Sequence, residues 1–261
     1  MAIKAPAPVL GVSRDGQTSI QGFGRRADNA NEAPGANTLF LIGTVTKFTG
    51  QVLASVAADG VVGLADPLTK YCPEFTVPMS EGGRPIRLID LATHSAGLPR
   101  EVPQKPGSAD DPFIDITPEA FTAWLKANPL TFTPGKAISY SNFGFDLLAA
   151  PLSRAAPQHQ PYADLLEARS IRPLGLRDTT FSPRLQAAGI MQGHNFDGSP
   201  MANARTGAVI VGSGGLYSTA RAAEKLIDHA AYPARRTKRS LRDGRSWAYG
   251  GDGARLGHHG A

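Results

Sequence analysis

Short β-rich apolar runs open the chain, and apolar residues at helical spacing follow them. Val9 to Val12 and Thr18 to Phe23 lie on either side of Asp15-Gly16, a turn dipeptide, and predict a β-hairpin. Arg25 to Asn37 is polar and contains Gly and Pro, and a short apolar run, Leu39 to Ile42, comes next. That run leads into a helix expected from about Val45 to Asp59. Val45, Phe48, Val52, Leu53 and Val56 recur at helical spacing, and Gly60 supplies a C-terminal stop.

The middle of the chain reads as helical and punctuated. A short helix is expected over Ile89 to Thr93, a longer one over Thr117 to Asn128, and apolar helices over Phe143 to Ala155 and Tyr162 to Arg169. The second of these opens on Thr-Pro-Glu, a good start signal. Ser218-Thr219 follows the run Gly212 to Tyr217 and is placed to cap a helix through His229. Trp247 to Ala261 is Gly-rich and strand-like. Strands at both ends with helices between them imply a sheet assembled from the two termini, carrying a helical insertion. No linker separates independent domains, so residues 1–261 read as one unit. Its sheet lobe is expected at about 1–60 and 205–261, and its helical lobe at about 61–204.

Composition narrows the class. Hydrophobic residues make up 41% and charged residues 19% of the chain, ordinary for a soluble globular protein. No apolar run approaches the roughly 20 residues of a membrane helix. Met1 to Pro8 lacks the basic-then-apolar layout of a signal peptide, so the sequence reads as a mature or trimmed chain, or one that stays in the cytoplasm. The single cysteine, Cys72, excludes an internal disulfide and a cysteine-rich metal site, and reads as a buried structural thiol. Net charge is +5, concentrated in Arg235, Arg236, Lys238, Arg239, Arg242 and Arg245. That run has almost no interleaved aromatics and no accompanying nucleic-acid motif, so it reads as a solvated basic loop, the alternative being contact with an anionic surface. No nucleic-acid partner is expected.

Three short stretches carry candidate chemistry. In Thr44-Val45-Thr46-Lys47, a hydroxyl and an amine lie one helical turn apart, near a helix N-terminus that favours a developing anion. The plainer reading is a solvated helix face. In Tyr140-Ser141-Asn142, the phenol suits proton transfer and the amide suits an amide substrate; the alternative is a loop tyrosine beside a capping residue. In His258-His259-Gly260, adjacent histidines on a strand point to opposite faces and share a metal ion poorly. His94, in Asp90-x-x-x-His94, is the other metal candidate, while His159, His194 and His229 read as surface or packing residues. The Gly212 to Gly215 run lacks a phosphate-loop lysine. No metal and no cofactor are expected.

Taken together and in order, these stretches resemble the serine-reactive β-lactamase and penicillin-binding family, specifically its class C branch. That branch includes D-alanyl-D-alanine carboxypeptidases and related esterases. Leu39 to Thr49 is similar to the family's Phe-x-x-Gly-Ser-x-x-Lys-x-Phe-Thr, and Leu88 to Pro99 to its "LLTHTSGLP" segment. Tyr140-Ser141-Asn142 matches the Tyr-x-Asn motif. Pro173 to Thr179 and Gly214 to Thr219 match two further segments, and His258-His259-Gly260 stands where relatives carry Lys-Thr-Gly or His-x-Gly.

The resemblance implies an α/β (α+β) fold with an antiparallel sheet built from both chain ends, flanked by helices. It implies an acyl-transfer hydrolase in which Thr44, in place of the family serine, forms an acyl-enzyme while Lys47 and Tyr140 move protons. Asn142, His258, His259 and Gly260 would bind substrate, with the oxyanion hole formed by the backbone N–H groups of Thr44 and Ala261. Implied substrates are D-Ala-D-Ala-type peptides, β-lactams or small esters, and the implied location is periplasmic or secreted. Three departures predict impaired activity. Thr44 carries a methyl that serine lacks. His259 replaces a hydroxyl residue that helps hold a substrate carboxylate. The chain stops at the supposed oxyanion donor, where the family continues with more sheet and a helix, which reads as a truncated or degenerate member. The alternative is a penicillin-binding-like protein that binds its ligand without turnover.

Overall fold

The strands of the expected N-terminal hairpin pair with each other. A computed structural model describes residues 7–14, 17–27, 31–78, 82–102, 116–182, 189–194, 198–201 and 210–226. Strand β1 (Val9–Arg14) pairs antiparallel with β2 (Gln17–Gly22), Val9 opposite Gly22 and Arg14 opposite Gln17. A second antiparallel pair joins β3 (Leu39–Leu41) to β4 (Tyr217–Thr219), Leu39 opposite Thr219 and Leu41 opposite Tyr217. This pairing brings an early segment of the chain against a late one. The strand expected from Trp247 to Ala261, and the basic run from Arg235 to Arg245, lie outside the described residues.

The helix that opens after β3 starts later than its apolar spacing predicts. Residues Gly43–Thr46 form a 3₁₀ turn, and the α-helix α1 runs over Thr49–Ala58. Val45 is exposed, so it does not share the buried stripe of Val52, Leu53 and Val56. The physical reason lies in Thr46, whose buried Oγ1 accepts the Leu216 N–H at 3.2 Å. A β-branched run (Thr44, Val45, Thr46) is a weak helix former, and this long-range bond holds the 3₁₀ turn, whose own i→i+3 bonds include Val45 N–H to the Ile42 carbonyl and Lys47 N–H to the Thr44 carbonyl.

Helix α2 (Leu88–Ala92), α3 (Pro118–Ala127), α4 (Asn142–Ala155) and α5 (Tyr162–Leu166) complete the helical part. Thr117 Oγ1 caps α3 by accepting the Ala120 N–H at 3.2 Å, with Pro118 in the first turn, as its Thr-Pro-Glu start predicts. Ser141 Oγ caps α4 by accepting the Gly144 N–H at 2.9 Å. The segment expected to be one helix from Tyr162 to Arg169 changes winding: α5 ends at Leu166 and a π turn spans Glu167–Ile171. Thr219 Oγ1 accepts the Ala222 N–H at 3.1 Å and so caps the helical residues 220–226. Ser218 instead bonds Thr179 Oγ1 at 2.7 Å.

Helix α4 sits at the centre, packed against α1, α2 and α5. From Phe143 to Leu152, where Asp146 is the one charged residue, it is buried on nearly every side. Phe143 at its start stacks against Phe121 and Trp124 of α3, with ring centroids 4.7 and 5.4 Å away. Cys72 belongs to the same core, and burial pushes its thiol up to about 12, which leaves it unreactive. Leu148 on α4 is fully buried, so Leu148→Ala is expected to destabilise the chain by about 2–5 kcal/mol in urea unfolding. A loss below about 1 kcal/mol would show that α4 does not carry the core. Among the described residues no helix is long and apolar enough to cross a membrane.

Candidate active site

The 3₁₀ turn that carries Thr44 is stitched to the segment before β4. Ile42 N–H donates to the Leu216 carbonyl at 2.9 Å, and the Thr46–Leu216 bond closes the other side. Gly43 takes φ +48°, a left-handed conformation that favours glycine and turns the chain out of β3. Thr44 is exposed on this turn, and its carbonyl accepts the Lys47 N–H at 3.2 Å. Among the described residues its hydroxyl makes no hydrogen bond.

Lys47 is the meeting point of distant segments. Its Nζ donates to Asn142 Oδ1 at 2.6 Å and to the Ser213 carbonyl at 3.0 Å. The same ammonium faces the ring of Tyr140, 5.0 Å from the centroid, and that of Phe145 at 5.4 Å. Aromatic faces at this range attract a cation. Lys47, Tyr140 and Asn142, three of the residues singled out from the sequence, are thus brought together. His258, His259, Gly260 and Ala261 lie outside the described residues.

Tyr140 and Asn142 are held by the segment from His94 to Glu101. Ser139 N–H donates to the His94 carbonyl at 2.9 Å, and Asn142 N–H to the Arg100 carbonyl at 2.8 Å. Ser141 N–H donates to His94 Nδ1 at 3.1 Å, which fixes that nitrogen as the acceptor and leaves any ring proton on Nε2. The His94 ring stacks on Tyr140 at 4.4 Å and on Phe145 at 4.9 Å. Burial, and secondarily the charge of Lys47, lower the pKa of His94, so its ring is neutral at neutral pH. His94 also holds φ +58°, a conformation rare outside glycine and of the kind that persists where surrounding bonds enforce it. Arg100 lays its guanidinium 4.9 Å from the Tyr140 centroid, and Asn142 Nδ2 donates to Glu101 Oε1.

His94 therefore orders Tyr140 and is turned away from Asp90, its partner in the proposed metal pattern. Asp90 is buried under Arg84, which donates to Oδ2 at 2.6 Å and to Oδ1 at 3.0 Å, and under Arg87, whose N–H donates at 2.8 Å. Burial acts to raise this carboxyl, but the two arginines outweigh it and hold it below the ordinary carboxylate range. Among the described residues no group of three metal-ligating side chains assembles.

Asp146 was not legible as a site residue. It lies one turn beyond Asn142 on α4, is buried, and accepts N–H groups of Gly212 at 3.2 Å and Ser213 at 2.8 Å. Its second oxygen accepts the Ser213 hydroxyl at 2.9 Å. In sequence it reads as one polar position on an apolar helix. The available signal was a carboxylate four residues after Asn142, on a helix too apolar to present it to water.

The β-lactamase family matches residues 2–260, and the chain belongs to that family. The D-alanyl-D-alanine-carboxypeptidase/endopeptidase AmpH of Escherichia coli (strain K12) is 36% identical over 205 residues, covering 78% of this chain and 51% of that protein. Esterase EstB of Burkholderia gladioli is 32% identical over 155 residues, covering 56% of this chain and 39% of that protein. The chain spans about half the length of these curated relatives, or less. Among solved structures, the β-lactamase/D-alanine carboxypeptidase of Yersinia pestis complexed with citrate matches with a TM-score of 0.72 and 35% identity. That match covers 86% of this chain and 63% of the other. It gives the described helices and small antiparallel sheets the β-lactamase/transpeptidase fold.

Proposed function

We propose that this chain is an acyl-transfer hydrolase that forms a covalent acyl-enzyme on Thr44. The observation that carries the reading is the Lys47 ammonium, held between Asn142 Oδ1 and the Ser213 carbonyl beside the Tyr140 ring. In the proposed reaction the Lys47–Tyr140 pair takes the proton of the Thr44 hydroxyl as its oxygen bonds the substrate carbonyl carbon. The leaving nitrogen or oxygen receives that proton as its bond to carbon breaks. Water then adds to the ester, its proton returns to Thr44, and the acid product departs. Asn142 positions the substrate amide and steadies Lys47. His258, His259 and Gly260 bind substrate, and the backbone N–H groups of Thr44 and Ala261 stabilise the oxyanion.

Substrates of this reading are D-Ala-D-Ala-type peptides, β-lactams or small esters, classes that the relatives' names span. The exposed Thr44 hydroxyl, unbonded among the described residues, favours a slow enzyme over a fast one. Fluorescent penicillin should label the chain, and Thr44→Ala should lose at least about 99% of that label, as removal of an activated nucleophile requires. Labelling that survives Thr44→Ala would defeat the proposal.

A further inference from the structure

Below the Lys47 amine, buried polar groups that take no part in the proposed chemistry converge on one carboxylate. Asp146 Oδ1 accepts the N–H groups of Gly212 and Ser213, and Oδ2 accepts the Ser213 hydroxyl. The peptide unit between Gly212 and Ser213 is also gripped from the other end, because Thr49 Oγ1 donates to the Gly212 carbonyl at 2.8 Å. Thr49 has spent its one hydroxyl proton there, so the Tyr162 hydroxyl, 2.6 Å away, must be the donor to Thr49. No side chain fits at Gly212, where a Cβ would lie 2.0 Å from the Phe145 carbonyl oxygen. The next carbonyl along, that of Ser213, is the one that receives Lys47.

We propose that Asp146 is a positioning residue for acylation: it fixes the Gly212–Ser213 turn and, through the Ser213 carbonyl, the Lys47 amine. This rests on the role given to Lys47 above. Helix α4 then grips the amine twice, directly through Asn142 and one turn later through Asp146 and Ser213.

The chemistry at this position argues for more than a staple. An asparagine would keep the two N–H bonds but would lose the Ser213 hydroxyl as a donor, since its amide nitrogen only donates, and so would hold the turn less firmly. A carboxylate in its place is costly. Burial pushes the Asp146 carboxyl up to about 7, against the pull of the Ser213 hydroxyl and N–H. The charged groups that act on it are Lys47, which favours the anion, and Glu101, which opposes it; Asp146 in turn acts on Tyr162. The folded chain therefore holds a proton on Asp146 between the ordinary carboxylate value and about 7 that the unfolded chain has lost. This group's contribution to stability falls as pH rises through that window. Only the ionised form accepts all three donors without turning Ser213, so acylation should gain over the upper end of the same window, near pH 7.

Asp146→Asn tests this with two readouts. The first is acetylation of the Lys47 amine by acetic anhydride, followed by peptide mass, which needs no turnover. It should speed up about fivefold in Asp146→Asn and stay unchanged in Thr44→Ala. The second is the acylation rate with a chromogenic β-lactam between pH 5.5 and 8.5. Asp146→Asn should fall about tenfold in kcat with KM within about twofold, and should lose the limb near pH 7. Ser213→Ala should keep that limb at a higher pH, having lost one donor to the anion. Unchanged Lys47 reactivity in Asp146→Asn, or a limb that survives in it, overturns the positioning role. Faster Lys47 acetylation in Asp146→Asn than in a parent chain that itself never acylates upholds the positioning role and sinks the reaction assigned to Thr44.

Discussion

Lys47→Met is expected to reduce β-lactam acylation by about a thousandfold or more, the scale of a lost proton-transfer group compounded by lost positioning. Methionine keeps an unbranched stem that packs against the Tyr140 and Phe145 rings, so the loss isolates the amine. The variant leaves the Asn142 amide oxygen and the Ser213 carbonyl short of a donor, both partly buried. Each unsatisfied group costs about 1–3 kcal/mol if water cannot reach it, which a folded domain of this size survives. Acylation within about tenfold of the parent, in a variant that still unfolds cooperatively, would place the proton transfer elsewhere.

Thr44→Ser is expected to raise the acylation rate with an activated ester by about 10- to 100-fold. Threonine's methyl removes rotamers that serine samples, and the resulting misplacement of the oxygen by a fraction of an ångström to about 1 Å is worth up to about a hundredfold. Thr44 stands on an exposed turn behind the left-handed Gly43, with its hydroxyl bonded neither to Lys47 nor to Tyr140. A serine there samples rotamers that threonine does not. Stopped-flow comparison of the two proteins checks this, and equal rates would remove the methyl as the cause of slow chemistry.

Local signals made much of this fold legible. The pairing of β1 with β2, which the Asp15-Gly16 signal predicts, and helix α3 behind Thr117-Pro118 are local and need no distant partner. The centre of the molecule was legible too, since Phe143 to Leu152 is apolar apart from Asp146 and such a helix must be buried. The start of α1 was not. Val45 and Phe48 fit a helical period, but the backbone follows the bond between Thr46 and Leu216, far away in sequence. Periodicity has no access to a contact of that kind.

The site divides along the same line. Lys47, Tyr140 and Asn142 were readable from motifs, and their meeting around one ammonium is a matter of tertiary structure that motif order implied. The spacing Asp90-x-x-x-His94 makes His94 a metal candidate in a sequence where no metal is expected. The structure gives each of them a different partner: Ser141 and Tyr140 for His94, Arg84 and Arg87 for Asp90. Asp146 escaped notice because its three donors come from residues 212 and 213, which no local pattern on α4 announces.

Peptide mapping by mass spectrometry, after separate incubation with a β-lactam and an activated ester, bears most directly on the covalent chemistry. The expected result is one acyl adduct from each reagent, on the peptide holding residues 43–47 and fragmenting to the Thr44 oxygen. An intact protein that carries no adduct after prolonged incubation, or an adduct on any other side chain, would contradict it.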